Sequence, residues 1–178
     1  MFQLNKTSHL LTVTPDLLLV DIKKNLAAEG LFWGYHPLDE IHYSINHYLK
    51  RRIPNLYYYK YGSLSDVVNS AEVELLDGKT FHFKDAPRSA IGPDFNRMMI
   101  GGRSNFGKFK AVTLIVNAMP EKTSHGILYI DSKQQARQIL RDLMGYFIQP
   151  LYFKYIDLDT TDTLMSDLKI KTAATECV

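Results

Sequence analysis

The chain has 178 residues, 46% of them hydrophobic, with a formal net charge of +2 and a single cysteine, Cys177. That is enough apolar material for one core, or one core with a satellite, and too little net charge to imply a nucleic-acid or membrane partner. One cysteine excludes an intrachain disulfide and fits a reducing compartment. The N-terminus shows no basic-then-apolar signal pattern, and no apolar run approaches the ~20 residues of a membrane span. The expectation is a cytoplasmic protein without nucleic-acid or membrane partners.

Leu10 to Thr14 is a short β-branched run stopped by Pro15, which predicts a strand. Asp16 is placed to cap a helix running to about Glu29, with Leu18, Leu19, Ile22 and Leu26 near helical spacing and Gly30 as its stop. Gly34 to Asp39 reads as loop, and Ile41 to Lys50 as a helix ended by Pro54. Ser63 caps a short helical turn with Asp66 in it. Ala71 to Leu76 and Lys79 to Phe83 flank Asp77-Gly78, whose residues suit the positive φ values of a tight hairpin turn. Asp94 is placed to cap a helix through Ile100, and Phe109 to Ala118 is a strand with a long apolar face. Gly126 to Ile130 reads as another strand, and Ser132 caps an amphipathic helix carrying Ala136, Ile139, Leu140 and Leu143. Leu151 to Leu158 fits a last strand, and the Thr-rich chain beyond Asp159 a tail. Strands in hairpins with helices on one side give an α+β fold: an antiparallel sheet with flanking helices.

One ordered set of motifs stands out. It runs through Tyr61-Gly62, Asp66-Val67, Glu72 to Lys79, Gly92-Pro93-Asp94-Phe95, Ile100 to Gly107 and Thr113 to Val116, and closes at Pro120-Glu121. In that order and spacing the segment resembles the second half of the flavin-binding domain of the p-cresol methylhydroxylase and vanillyl-alcohol oxidase superfamily (the PCMH type). The likeness is to its branch of glycolate and lactate dehydrogenases and alkyl-dihydroxyacetone-phosphate synthase. Leu11 to Pro15, followed by Leu19, Ile22, Leu26, Ala27 and Glu29-Gly30-Leu31, is similar to the strand and helix that open that lobe.

The resemblance implies FAD as cofactor and 2-hydroxy-acid oxidation as chemistry. It implies cofactor-binding positions at Ser44, Ile45, Gly62, Asp66, Asp94, Gly101, Asn105 and Gly107. It also implies that the family's first lobe, whose loops hold the FAD pyrophosphate, is absent, and that the cap is represented only by its first elements. The expected organisation is a second FAD-domain lobe over 1–121, the beginning of a cap-like element over 122–159 and a polar tail over 160–178.

Two departures matter. Where the family has a Thr-Ile-Gly-Gly-like segment that lets backbone amides approach FAD, this chain has Ser44-Ile45-Asn46-His47, with both glycines replaced by bulky residues. Where relatives have Gly-Ser-Glu-Gly-Thr-Leu-Gly, this chain keeps Gly101, Phe106 and Gly107 but carries Ser104 at the middle glycine, with Lys108 and Lys110 following. Lys50, Arg51 and Arg52 read as a solvated basic helix end in preference to a phosphate contact. Tyr57 to Tyr59 read as a packing or interface cluster in preference to a base-stacking platform. His36, His42 and His47 fall in no zinc spacing. No Ser-His-Asp order or catalytic carboxylate pair is present, and no metal or catalytic residue is assigned.

Three functions remain from these residues: a degenerate, non-catalytic binding or scaffold module, a subunit completing a split FAD-dependent oxidoreductase with a separately encoded first lobe, and an independent enzyme with a new site. The replaced glycines favour the first. An FAD lobe without its companion exposes an apolar face, so the expected partner is a second copy of the chain or a separate flavoprotein subunit. Phe32, Trp33, Tyr35 and Tyr57 to Tyr59 are the candidate contacts.

Overall fold

A computed structural model describes residues 1–37, 42–83 and 95–156. In chain order its elements are β1 (Phe2–Asn5), β2 (Leu10–Val13), α1 (Leu19–Ala28), β3 (Leu31–Trp33), α2 (Ile45–Arg51) and α3 (Tyr58–Tyr61). There follow β4 (Val68–Leu75), β5 (Thr80–His82), α4 (Phe95–Met99), β6 (Gly107–Ala118) and α5 (Lys133–Gly145). The strands pair antiparallel in the order β1-β2-β6-β4-β5, with β3 on the far part of β6. The expected α+β class, an antiparallel sheet with flanking helices, is the observed architecture.

β6 organises the sheet because it is long enough to serve several partners. Its Val112 to Ile115 stretch pairs with β2, Gly107 to Leu114 with β4, and Val116 to Ala118 with β3. Val112, Leu114 and Val116 alternate onto the buried face, where they meet Leu11 and Val13 of β2 and Val73 of β4. α1 lays Leu19, Ile22 and Leu26, a helical-spacing stripe, onto the same core. Trp33 and Tyr35 are fully enclosed there, Trp33 donating its indole N–H to the Val67 carbonyl (3.0 Å) and Tyr35 its hydroxyl to that of Ile53 (3.1 Å). Their polar ends are satisfied, so the rings bury without an unpaired group. Trp33 and Tyr35 are thus core residues and not the surface contacts expected of them, whereas Tyr58 (60% exposed) and Tyr59 (38%) face solvent.

Several local expectations are corrected. α1 starts at Leu19 with Leu18 as its cap residue, and Asp16 does not cap it. The Leu19 N–H instead donates to the Tyr43 carbonyl (3.0 Å), so a neighbouring strand-like segment satisfies the helix end. α2 begins only at Ile45, because Ser44 is extended and bridged to Leu18. Ser63 to Asp66 is a turn, not a helix, and a short helix, α3, precedes it. The hairpin loop is one residue longer than a two-residue turn. Leu75 N–H bonds to the Lys79 carbonyl, and of the two turn residues only Gly78 takes a positive φ (+82°). That is the three-residue connection with a bulge-type glycine. β1 and β3 were not anticipated.

Two compact units are present: Met1–Gly126 with Gln149–Tyr152, and Ile127–Ile148 with the chain from Phe153. In the second, α5 forms as expected. Ser132 Oγ accepts from Gln135 N–H (3.3 Å) while Gln135 Oε1 accepts from Asp131 N–H (3.0 Å), a reciprocal cap. The strand expected at Gly126 to Ile130 is not formed, nor is one at residues 151–156; residues 157 and 158 lie outside the described residues. Both stretches have strand-type composition, but neither pairs with a neighbour among the described residues, and such propensity is expressed only in a sheet.

Candidate functional site

The expected cofactor positions fall at three places in the first unit. The first is the start of α2. Ile45 is wholly buried, and its N–H donates to the Leu17 carbonyl (2.9 Å). Asn46 N–H donates to Pro15 (2.9 Å), and His47 N–H to Ser44 (3.0 Å). Ser44 is half-buried, its hydroxyl making no capping bond. All three amides that follow Ser44 are therefore committed to the chain itself. Above them, Tyr43 stacks on the His47 ring at 4.0 Å and 7°. Asn46 Oδ1 is shielded from solvent with no hydrogen-bond partner, a polar burden this corner carries.

The second place is the turn from Gly62 to Asp66. Asp66 Oδ2 accepts from Ser63 N–H (2.9 Å) and Ser63 Oγ (2.6 Å), and Oδ1 accepts from Arg97 Nη2 (2.8 Å). Burial pushes the carboxyl upward, but the Ser63 bonds and the Arg97 guanidinium together outweigh it and hold Asp66 below its ordinary range. Gly62 packs so close that a Cβ there would lie 2.8 Å from Asp66 Oδ2. The Asp66 carboxylate is thus engaged as a strut between this turn and α4.

The third place is Gly101 to Gly107. Gly101 N–H donates to the Leu49 carbonyl of α2 (2.7 Å) and Asn105 N–H to that of Gly102 (2.8 Å), while the Asn105 side chain is exposed. Gly107 has φ +153°, and a Cβ on it would run into the backbone carbonyl of Glu74. The turn therefore needs glycine there for β6 to start against β4. Asp94 lies outside the described residues.

The structure joins the third place to the end of α2 and the second to α4. It separates Ser44 and Ile45 from Gly101 by the length of α2, a seven-residue helix spanning about 10 Å. Two features escaped sequence reasoning. Asn55 donates to the carbonyls of Gly34 (2.9 Å) and Gly62 (2.8 Å) and accepts from the N–H groups of His36 (2.9 Å) and Tyr57 (3.0 Å). Its full hydrogen-bonding capacity is used to tie the segment after β3 to the turn before Asp66. The Pro54-Asn55 turn dipeptide was the available signal. Lys23, on α1, is held by burial at a pKa of about 8. Burial, and then Lys23, also lower His36 against the opposing pull of the Pro37 carbonyl. Among the described residues no group of three or more His, Cys, Asp or Glu could hold a metal ion, and no helix is long and apolar enough to cross a membrane.

No family model matches the chain. Over 100 residues, 56% of its length, it is 28% identical to the uncharacterized FAD-linked oxidoreductase YgcU of Escherichia coli K12, and equally to that of strain O157:H7. The backbone superposes on alkyldihydroxyacetonephosphate synthase in two solved structures, with TM-scores of 0.61 and 0.59 over 67% of this chain at 16% identity. The chain spans about a fifth of these proteins, 21% of YgcU and 21% and 23% of the synthase chains. The chain thus shares the fold of part of these synthase structures and, over 100 residues, resembles a protein named as an FAD-linked oxidoreductase.

FAD is the group named for the matched relative YgcU. The start of α2 nevertheless offers it no free backbone amide: the N–H groups of Ile45, Asn46 and His47 donate to Leu17, Pro15 and Ser44.

Proposed function

We infer that the chain acts as a binding or scaffold module built on an FAD-linked oxidoreductase-like fold, and that it is not catalytic on its own. The observation that carries this reading is the donation of the Ile45 and Asn46 amides to Leu17 and Pro15. A dinucleotide approaching the start of α2 meets no free backbone donor among the amides of Ile45, Asn46 and His47.

The test is spectroscopic. Purified protein is expected to be colourless, and added FAD to keep its fluorescence without saturable quenching. A yellow preparation with near-stoichiometric flavin overturns the reading.

A second reading is favoured by the glycine turn at Gly101 to Gly107, which keeps a tight backbone path even though its sequence has diverged. In it, the chain completes a split FAD-dependent 2-hydroxy-acid oxidoreductase with a separately encoded first lobe. Flavin binding and glycolate or lactate oxidation that appear only on mixing the two chains would select it.

A further inference from the structure

The stretch from His125 to Asp131 has strand composition at its centre and nothing to pair it. Gly126-Ile127-Leu128-Tyr129-Ile130 contains no charge, yet no strand forms there. The backbone N–H and C=O groups of Gly126, Leu128 and Ile130 make no hydrogen bond among the described residues. Ile127 (81% exposed), Leu128 (68%) and Tyr129 (84%) face solvent. Unpaired backbone flanked by apolar side chains is a template for another strand.

More apolar surface follows α5. Phe147 stands just past the helix in the left-handed region (φ 59°), a place that glycine usually takes, and is 94% exposed. Tyr146 beside it is 77% exposed. The fold itself gains little from either ring. An enclosed aromatic side chain buries about 150–250 Å², so Tyr129, Tyr146 and Phe147 together offer roughly 500 Å². With Ile127, Leu128, Met144 and Ile148 added, the total approaches the ~800 Å² that each partner contributes to a stable complex.

The sequence of the stretch is complementary to itself. Antiparallel pairing with a second copy, Leu128 opposite Leu128, sets Ile127 opposite Tyr129 and His125 opposite Asp131, each pair occurring twice. A branched residue against an aromatic, and an imidazole against a carboxylate, are favourable across antiparallel strands. With Gly126, Leu128 and Ile130 as the hydrogen-bonded positions, those pairs fall where side chains approach most closely. The Asp131 N–H is then not needed by the ladder and keeps its bond to Gln135 Oε1. Slipping the register by one residue puts Asp131 opposite Gly126 and loses both end pairs.

We propose that residues 125–131, with the exposed aromatics after α5, form a two-fold interface with a second copy of this chain, centred on an antiparallel pairing about Leu128. Such a contact uses the same surface on both copies and closes at two. None of the expected cofactor positions lies in it, so it stands whether or not a flavin is held.

The experiment is analytical ultracentrifugation of the full chain, with the emission of buried Trp33 reporting that each variant is folded. Dimerisation with a dissociation constant on the order of 10 μM is expected. Tyr129→Lys should weaken it at least about tenfold. Asp131→Lys should weaken it too, and His125→Asp in the same chain should restore it. The register is read by oxidation in a Cys177→Ser background. Leu128→Cys places two thiols on Cα atoms about 5.5 Å apart, within disulfide reach, so a covalent dimer is expected. Ile130→Cys, opposite Gly126 of the copy, should cross-link at least about tenfold more slowly. The proposal is overturned by a monomer up to about 1 mM, by Tyr129→Lys dimerising as tightly as the parent, by failure of the paired exchange to restore association, or by Ile130→Cys cross-linking as fast as Leu128→Cys.

Discussion

Gly107→Ala tests the account of how β6 begins. Two costs add. The residue sits at φ +153°, which an L-amino acid with a side chain occupies only under strain of about 1–2 kcal/mol. The new methyl also meets the Glu74 carbonyl and lies 3.0 Å from Val73 Cγ1, and the carbonyl is backbone that cannot rotate away. Relief requires the first pairing of β6 with β4, Gly107 with Leu75, to open, at about 1 kcal/mol per lost hydrogen bond. The expected loss is about 3 kcal/mol, a large part of the 5–15 kcal/mol that a typical domain has. Gly78→Ala is the comparator. It too has a positive φ, +82°, but nothing lies within 4 Å of its added methyl, so it should cost about 1 kcal/mol. The assay is urea denaturation followed by the fluorescence of Trp33, the single tryptophan, buried beside the sheet. A Gly107→Ala midpoint shift no larger than that of Gly78→Ala refutes the steric argument.

Other outcomes follow from the same structure. Lys23 is a base whose folded pKa, about 8, lies below its ordinary 10.5, so the folded state holds the proton less tightly than the unfolded chain and stability rises as pH increases from 8 to 10.5. Lys23→Met should abolish that rise and add about 1–2 kcal/mol at pH 7, after discounting for the amine's remaining solvent contact; parallel pH profiles of stability for parent and variant would rule this out. Asp66 is lowered on folding, so its contribution is present above the ordinary carboxylate range and is lost as pH falls through its folded value. Asp66→Asn should cost about 1 kcal/mol at pH 7 and flatten the acid limb of thermal melting curves. Asn55→Ala, which orphans two carbonyls and two N–H groups, should cost more than 2 kcal/mol in urea titration, and a smaller loss would show that water replaces it freely. Paired Tyr58→Ser and Tyr59→Ser should reduce any self-association seen by light scattering without changing the melting temperature by more than a few degrees, given their exposure.

How far the sequence could be read depended on whether the deciding interactions were local. The Asp77-Gly78 hairpin, the Gly30 stop and the Ser132 cap are set by residues within a few positions, and all were legible. α1 was displaced by two residues because its first N–H finds its partner at Tyr43, far along the chain. β3 has three residues between glycines and shows no periodicity to detect; it exists because the end of β6 is there to receive it. The stretch Gly126 to Ile130 shows the converse, strand composition without a strand to join. At the candidate site the motif order pointed to the right fold. The inward commitment of the α2 amides was not readable, since it rests on the path of Pro15 to Leu17 and not on Asn46 and His47 themselves.

The pairing of β6 with β2 has a consequence for how this sheet comes into being. Leu10 lies against Ile115 and Val13 against Val112, so strands about a hundred residues apart close the middle of the sheet. Among the described residues β1 pairs only with β2, and β2 otherwise only with β6, so within the described sheet that hairpin waits on β6. Such long-range closure must meet its loop entropy before any contact rewards it, and places folding in the millisecond-to-second range. During synthesis the first hundred residues emerge with Leu11, Val13, Trp33 and Val73 lacking their covering strand. A chain interrupted before Gly107 would therefore be a poor folder and a good substrate for holding chaperones, although it contains most of the residues of the core.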